Sequence, residues 1–205
     1  MKKVHWSGGA MLAPVPPALV SCGSVDRPNA LTVAWTGILN TVPPKTYISV
    51  RPQRYSYKLI EESGEFVINL PTASMVKAVD YCGCRSGAKE DKLAKCALTV
   101  SPCEKVSAPQ IDQSPVSVEC KVCQVIPLGS HTMFIADIVG VNVSQDLLDD
   151  KGKLHLDKAG LCAYAHGEYY ALGRCIGDFG FSVRSKKAQK RRNIQKAEES
   201  KKWKN

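Results

Sequence analysis

Alternation of apolar and polar residues with a period of two runs through much of the chain and predicts a mainly β protein. In "LTVAWT", for example, Leu31, Val33 and Trp35 alternate with small or hydroxylated residues. Runs rich in Val, Ile, Thr and Cys, bounded by Pro, Gly or Asn, predict strands at Ala18–Gly23, Leu31–Thr36, Thr46–Val50, Glu65–Leu70, Cys96–Val100, Val116–Ile126 and Met133–Val143. The last two are long and are separated by "PLGSHT", a hairpin-like connection.

Two segments carry helix boundaries instead. Tyr55–Ser63 is followed by Gly64, and glycine is common directly after the last turn of a helix. Ala73–Cys82 follows Thr72, a residue suited to cap a helix N-terminus, and ends at Gly83. Many strands with few helices favour a closed β-barrel with helical insertions.

The length of the chain and the distribution of its charges indicate the domain organisation. A chain of 205 residues, 44% hydrophobic and 23% charged, suits one globular domain, alone or with an appendage. Of its 28 Lys and Arg residues, ten lie in residues 184–205 against two Glu, although the whole net charge is only +9. We therefore expect a nearly neutral domain at residues 1–183 and a basic tail at 184–205, which is either a solvated helix or a disordered arm.

The cysteines and the N-terminus bear on the cellular compartment. Nine cysteines is an odd number, and most lie inside apolar segments, which fits reduced thiols in a reducing compartment better than a disulfide scaffold. "LVSC" after Lys2 and Lys3 superficially resembles a lipoprotein signal, but His5 and several prolines interrupt the stretch between. With no run of about 18 apolar residues, we expect a cytoplasmic protein without a membrane span.

The segment "ISVRPQRYSYKLI" combines a strand end, a proline turn and a helix start. A helix N-terminus offers free backbone N–H groups to an anion, Ser56 can add a hydroxyl donor, and Arg51 and Arg54 can add charge-assisted bonds. A phosphate site is one interpretation. The other is a capping serine beside two solvent-facing arginines.

Two cysteine-containing motifs give weaker signals. In "DYCGCRSGAKEDK", two glycines allow close backbone approach and Arg85, Ser86 and Lys92 can meet an anion, although a plain polar loop fits equally well. In "CKVC", Cys120 and Cys123 have zinc-like spacing but lie on a probable strand, where they face opposite sides. Without a second pair, buried cysteines are favoured over a metal site.

Candidate chemistry in the last third of the domain is sparse. His131 lies at the start of a strand, and "AHGEYYALG" gathers a histidine, a glutamate and two tyrosines between glycines, a composition suited to stacking on a planar ligand or to an interface. No Ser-His-Asp order, phosphate-binding Walker loop or dinucleotide-binding glycine motif is visible, which weakens hydrolase, nucleotidase and Rossmann interpretations.

The ordered set of segments is more specific than any one of them. Over roughly residues 10–183 the chain resembles the flavin reductase-like family, the FMN-binding split-barrel group that includes flavoredoxins. The resemblance lies in "PPALVSCG", "NALTVAWTGILNTVPPKTYISVRPQRYSYKLI", "GEFVINLP", "DYCGCRSG…DK", "GSHTMFIADIVGV" and "YAHGEYYALG…GFS".

The resemblance implies an FMN site in two parts. Near the isoalloxazine ring and ribityl chain it places Asn29, Thr32, Val33, Ala34, Trp35, Thr36 and Asn40. Near the ribityl and phosphate groups it places Ser49, Val50, Arg51, Tyr55, Ser56, Cys82, Ser86 and Lys92. His131 is the implied catalytic residue, which orients the hydride donor or steadies the reduced flavin, and His166 and Tyr169 would close the site.

The implied function is an FMN oxidoreductase that takes electrons from NAD(P)H and passes them to a second acceptor. The family is usually homodimeric, so the resemblance also implies a homodimer. A flavoredoxin-like carrier, with FMN held tightly and protein redox partners, is the alternative. Two features depart from the family pattern: Cys84 in the phosphate loop and the basic tail. We interpret the tail as a solubilising arm. Docking to an acidic electron-transfer partner or to nucleic acid is the alternative role for the tail. Nucleic-acid binding as the main function of the protein is disfavoured.

Overall fold

The computed structural model describes the backbone of residues 1–202 and the side chains of residues 1–194. The chain divides into two compact units, Met1–Leu172 and Gly173–Asn205. The division between a domain at 1–183 and a tail at 184–205 stays a prediction. Within the described part of the chain, no helix is long and apolar enough to cross a membrane.

The first unit is built on one seven-stranded antiparallel sheet. Its strands are β1 Ala18–Gly23, β2 Pro28–Val33, β3 Thr36–Thr41, β4 Pro44–Val50, β5 Glu65–Leu70, β8 Val116–Pro127 and β9 Thr132–Val143. They are arranged in the order β2-β1-β5-β8-β9-β4-β3. Two small ladders accompany it, formed by β6 Val100–Ser101 with β7 Gln110–Ile111 and by β10 Cys162–Ala165 with β11 Glu168–Ala171. The helices are α1 Tyr55–Ser63, α2 Val76–Cys84 and α3 Lys92–Lys95, and α4 Lys186–Lys202 lies in the second unit.

The sheet curls so that its two ends meet. β2 and β3 are the outermost strands of the order, yet only Ala34 and Trp35 separate them in the chain. One buried apolar cluster includes Leu31 from the β2 end together with Ile48 and Phe134 from the other end. A sheet whose ends share one core is a barrel left open along a seam, and the predicted split β-barrel with helical insertions is confirmed.

The predicted boundaries are exact for β1, β5 and α1. The strand predicted at Leu31–Thr36 is instead the end of β2 and the start of β3, because the chain bends at Ala34 and Trp35. The predicted second helix consists of a single 3₁₀ turn, Ala73–Met75, followed by α2.

The strand predicted at Cys96–Val100 is wrong except at Val100, where the short strand β6 begins. Asp91 caps the short helix α3 by accepting a hydrogen bond from the Ala94 amide, and Cys96 ends that helix. Leu93 and Leu98 pack into the cluster around α2. Burial of these leucines against a helix overrides the strand propensity of the segment.

A fully paired polar cluster lies inside the barrel wall. The buried Asn69 donates from Nδ2 to the Leu19 carbonyl (3.0 Å) and to Ser21 Oγ (2.8 Å). Its Oδ1 accepts from the Ile111 amide (2.9 Å) and from Ser117 Oγ (2.8 Å). One side chain therefore ties four strands together, since these residues belong to β1, β7 and β8 around β5.

All nine cysteines lie in the described part of the chain and are free thiols. Cys120 is buried in the barrel core and Cys123 is exposed, as expected for opposite faces of a strand. In the second unit, Arg184 pairs with Asp178 at 2.9 Å and the predicted basic segment forms α4. The side chains of that segment beyond residue 194 lie outside the described residues.

Candidate functional site

A cavity of about 460 Å³ opens at the bend between β2 and β3. We call it the main cavity. Nine of the predicted site residues line it: Thr32, Val33, Ala34, Trp35, Ser49, Val50, Arg51, His131 and Tyr169. The remaining walls come from residues that the site prediction did not include, namely Pro17, Leu31, Arg54, Asp80, Gly83, Cys84, Tyr164 and Gly167.

The bend that interrupts the β2–β3 strand gives the main cavity its aromatic wall. Trp35 is left outside both strands and is partly exposed, and its carbonyl accepts a hydrogen bond from the Ser49 amide at 2.9 Å. That bond continues the β3–β4 pairing by one residue and holds the bend against β4. The Trp35 indole lines the main cavity and does not pack in the apolar core.

The two threonines of this stretch have their hydroxyls occupied. Thr32 Oγ1 donates to the Val79 carbonyl and so fastens α2 to β2. Thr36 Oγ1 donates to the Tyr47 carbonyl at 2.6 Å and does not line the cavity. Each hydroxyl hydrogen is thus donated to a backbone carbonyl of the protein, so a ligand could only donate to these oxygens. Contact of Thr32 with a ligand stays a prediction, whereas Thr36 lies off the cavity lining.

Paired strand ends place a cationic group beside the bend. Val50, the last residue of β4, pairs with Thr132, the first residue of β9. Arg51 and His131 therefore leave the sheet next to each other, and both line the cavity. Burial lowers the pKa of His131 below its ordinary value, and the nearby Arg51 lowers it further.

Arg51 and Arg54 form the charged end of the main cavity. Neither guanidinium makes a hydrogen bond or an ion pair with any described residue. Arg54 occupies the capping position of α1, whose first amides lack partners within the helix. Two unpaired cations beside a helix N-terminus attract an anionic group.

Asn29, Ser56 and Gly87 form a support behind this end. Asn29 Nδ2 donates to Ser56 Oγ at 2.6 Å, and both side chains are buried. A Cβ on Gly87 would lie 2.0 Å from Asn29 Oδ1 and 3.1 Å from the Tyr55 ring, so only glycine fits. Ser56 was expected to touch the ligand or to cap the helix. It does not cap the helix, since Arg54 holds the capping position, and it does not line the main cavity. Its buried Oγ accepts the hydrogen bond from Asn29 Nδ2 and so supports that side chain.

Cys82 and Lys92 do not reach the cavity. Cys82 is fully buried between α2 and its neighbours, and burial raises the pKa of its thiol to about 12. Lys92 is also buried, its Nζ donates to the Cys82 carbonyl at 3.2 Å, and burial lowers its pKa. The next thiol along α2, Cys84, lines the cavity instead, because it lies past the buried face of the helix.

The remaining predicted residues also lie off the main cavity. Asn40 is exposed and donates to the Pro43 carbonyl within the β3–β4 turn, and Tyr55 and Ser86 lie outside the lining. His166 faces a neighbouring cavity. Asn40 lies near the end of β3, Tyr55 starts α1, Ser86 follows α2 and His166 lies in the β10–β11 turn, and the spacing of the sequence did not reveal how these places face the cavity.

The β10–β11 hairpin supplies the tyrosine part of the cavity wall. Tyr164 and Tyr169 lie with ring centroids 5.2 Å apart, and both line the cavity. Burial, and then Asp80, raise the pKa of Tyr169 to about 12, so its hydroxyl stays protonated at neutral pH. Among the described lining residues Asp80 is the one carboxylate, and it faces the tyrosine side of a cavity whose other end is cationic.

Some of the missed residues carried a usable signal. Arg54 stood in the motif already considered for a phosphate, and Gly83 and Cys84 stood in the glycine-containing loop. Pro17 and Tyr164 carried none, because they reach the cavity only through tertiary packing across the barrel.

Comparison with known proteins decides the family. The family model described as "Flavin reductase like domain" matches residues 11–173 of this chain. The chain belongs to the flavin reductase-like family. It is similar to the solved flavoredoxin of Desulfovibrio vulgaris (Miyazaki F), with 34% identity, a TM-score of 0.82, and coverage of 89% of this chain and 100% of that one.

Two further similarities support the assignment to the flavin reductase-like family. An uncharacterized protein of Archaeoglobus fulgidus is 35% identical over 62% of this chain and 72% of its own length. A solved structure described as an FMN-binding domain of a flavin reductase-like enzyme from Shewanella baltica is 26% identical. It has a TM-score of 0.67 and covers 80% of this chain and 88% of that one.

Proposed function

We propose that the chain is an FMN-dependent oxidoreductase that moves electrons from NAD(P)H through FMN, bound in the main cavity, to a second acceptor. One observation carries the proposal. The cavity joins two unpaired guanidiniums, Arg51 and Arg54, to an aromatic wall at Trp35. An anionic tail attached to a planar ring matches this pair of surfaces.

The residues present fit FMN in their chemistry. The cationic end suits a phosphate, the apolar strand residues and Trp35 suit an isoalloxazine ring, and the volume lies within the range of cofactor sites. The close contact of Gly87 with Asn29 shows that the backbone behind the cationic end is packed without room for a side chain. The relatives that are flavoredoxins or FMN-binding domains support the same cofactor.

Individual residues then take distinct roles. Arg51 and Arg54 hold the phosphate, Trp35 and Val33 contact the ring, and Ser49 offers its side chain to the polar groups between. FMN, when bound, supplies the redox chemistry, while the protein supplies binding, orientation and electrostatics. His131 stays neutral over most of the physiological pH range, because its pKa is lowered, and can donate or accept one hydrogen bond at the cavity edge.

An anaerobic visible absorption spectrum tests the function directly. Purified protein with FMN is recorded before and after addition of NADH or NADPH, and we expect the flavin band to bleach with one of them. Trp35→Ala should raise the dissociation constant for FMN about tenfold, because loss of a stacked ring costs about 1–3 kcal/mol. Trp6→Ala, which removes an exposed indole outside the cavity, is the matched control and should leave FMN binding unchanged. Failure of FMN to bind the unaltered protein would refute the proposal.

A flavoredoxin-like electron carrier is the second candidate function. The similarity to a solved flavoredoxin extends over that protein's whole length, and basic residues of α4 such as Lys186 and Lys190 are available to an acidic partner protein. The same spectrum separates the two functions. A carrier would bind FMN tightly and stay oxidised with both nicotinamides.

We also propose a cytoplasmic homodimer. The free thiols support a reducing compartment. The edge strand β3 and the turn after it expose Ile38 (71%) and Val42 (86%), which a second copy could cover. Sedimentation equilibrium would report the mass, and Ile38→Lys should shift a dimer toward monomer. A monomer in the unaltered protein would refute this part of the proposal.

A further inference from the structure

A second cavity of about 360 Å³ lies against the main cavity. The segment at residues 10–15 forms much of its wall, and His166 lines it as well. Trp35, Tyr164 and Gly167 line both cavities. A ligand in the second cavity would therefore be separated from one in the main cavity by little more than two aromatic side chains.

The shared wall is held by backbone bonds. Val15 and Tyr164 exchange two hydrogen bonds of 2.9 Å each, so the N-terminal segment is fixed to β10. Trp35 is held on the other side by its 2.9 Å bond to the Ser49 amide. The second cavity is thus framed by the same elements that frame the first.

The chemistry of the two linings differs sharply. The main cavity carries Arg51, Arg54 and Asp80, whereas no Lys, Arg, Asp or Glu stands among the lining residues of the second cavity. Its walls are aliphatic and aromatic, with Met11 and Leu12 on the N-terminal side. A charged ligand placed there would lose hydration without gaining a counter-ion.

His166 is the polar feature of the second cavity. It lies in the β10–β11 turn with a φ of 51°, a left-handed conformation that residues other than glycine seldom adopt. Such conformations often mark functional positions. Its imidazole offers one hydrogen bond to a ligand that is otherwise surrounded by apolar groups.

We propose that the second cavity binds the electron acceptor, and that this acceptor is an uncharged planar compound of one or two rings that bears a hydrogen-bonding oxygen. The assignment rests on the function proposed above. The small volume sets the number of rings, the aromatic wall favours planarity, and the absence of charged lining residues excludes anionic compounds.

Equilibrium dialysis with two probes of one shape tests the assignment. The probes are 4-nitrotoluene, which is uncharged, and 4-nitrobenzoate, in which a carboxylate replaces the methyl group. With the FMN-loaded protein, we expect 4-nitrotoluene to bind at least tenfold more tightly. Leu12→Glu should weaken its binding at least tenfold. Val4→Glu should not, because it adds the same charge to the same segment outside the cavity. Both replaced side chains are more than 80% exposed, so both variants should fold.

The outcomes separate this proposal from the function itself. FMN affinity is measured on the same preparations and should be equal in the three proteins. Equal binding of the two probes, or undiminished binding of 4-nitrotoluene by Leu12→Glu, would overturn the acceptor site even if FMN binds. Dialysis of FMN-free protein completes the test. Binding of 4-nitrotoluene that Leu12→Glu abolishes there would support the cavity even if FMN fails to bind and the proposed function is wrong.

Discussion

Two polar regions of the same barrel contrast in how their groups are paired. Around Asn69, buried side chains of neighbouring strands satisfy one another completely. At the charged end of the main cavity, Arg51 and Arg54 meet no partner among the described residues. The contrast separates polar residues that specify the fold from polar residues that are available to a ligand.

Burial explains why the two regions can differ. An unpaired polar group in the core costs about 1–3 kcal/mol, so the Asn69 cluster must be complete for the barrel to be stable. The guanidiniums of Arg51 and Arg54 are exposed and hydrated, so leaving them unpaired costs little. The second region can therefore be kept open for an anion without loss of stability.

Asn69→Ala should produce the largest effect. The change leaves the Ile111 amide and the Ser117 hydroxyl without their acceptor in a buried place, and it removes the donor to Ser21 Oγ, which keeps its bond to the Pro109 carbonyl. We expect a loss of about 3 kcal/mol in the free energy of unfolding. Urea denaturation measures it. Asn40→Ala, which removes one exposed hydrogen bond in a turn, is the control and should cost less than about 1 kcal/mol. Equal losses in the two variants would contradict the contrast between the regions.

Gly87→Ala tests the support behind the charged end. The new Cβ would fall 2.0 Å from Asn29 Oδ1, so the buried amide must move and its 2.6 Å bond to Ser56 must lengthen. We expect a loss of about 2 kcal/mol in stability, typical of overpacking, together with weaker FMN binding. Gly8→Ala, where nothing lies within 4 Å of the added carbon, should change neither quantity. Wild-type stability in Gly87→Ala would show that the contact relaxes without cost.

Much of the barrel could be predicted because local pattern and final burial agree. Glu65–Leu70 alternates as a strand and is one, and Tyr55–Ser63 ends at Gly64, which adopts the left-handed φ of 66° expected of such a glycine. The segment at Cys96–Val100 failed for the opposite reason. Its β-forming residues are drawn into packing against α2, a contact that no local pattern encodes.

The same distinction, between local pattern and tertiary packing, applies to the residues of the candidate site. Arg51 and His131 could be placed at strand ends from the local pattern, whereas Trp35 and Ser49 were implied by the family resemblance, and all four line the main cavity. Residues assigned to the site only because they belong to a motif, such as Cys82, do not line the main cavity. The burial of Cys82 and the exposure of Cys84 depend on the rotation of α2, which a motif of two cysteines one residue apart does not fix.

Arg51→Ala and Arg54→Ala should act on binding without acting on stability. Each removes a charge-assisted contact to an anion worth about 1.5–3 kcal/mol, so the dissociation constant for FMN should rise about tenfold to a hundredfold. Because neither side chain is paired within the protein, the free energy of unfolding should change by less than about 0.5 kcal/mol. Flavin fluorescence quenching gives the affinity, with Arg27→Ala as an exposed control outside the cavity. Unchanged FMN affinity in both variants would show that the FMN phosphate does not bind at the charged end of the main cavity.

The smallest effect concerns His131. Its pKa lies below the ordinary 6.5, first through burial and second through Arg51. In the pH range between the folded and unfolded pKa values the unfolded chain binds more protons, so this group lowers stability as pH falls through that range. Arg51→Ala should raise the pKa of His131 toward its ordinary value while leaving it below 6.5, because burial remains. The pH titration of the imidazole proton resonance by NMR measures the shift, and Arg27→Ala should leave it unchanged. A pKa unaffected by Arg51→Ala would mean that solvent screens the two groups from each other. The groups at the charged end of the main cavity would then be electrostatically independent of one another and would not form one cationic surface.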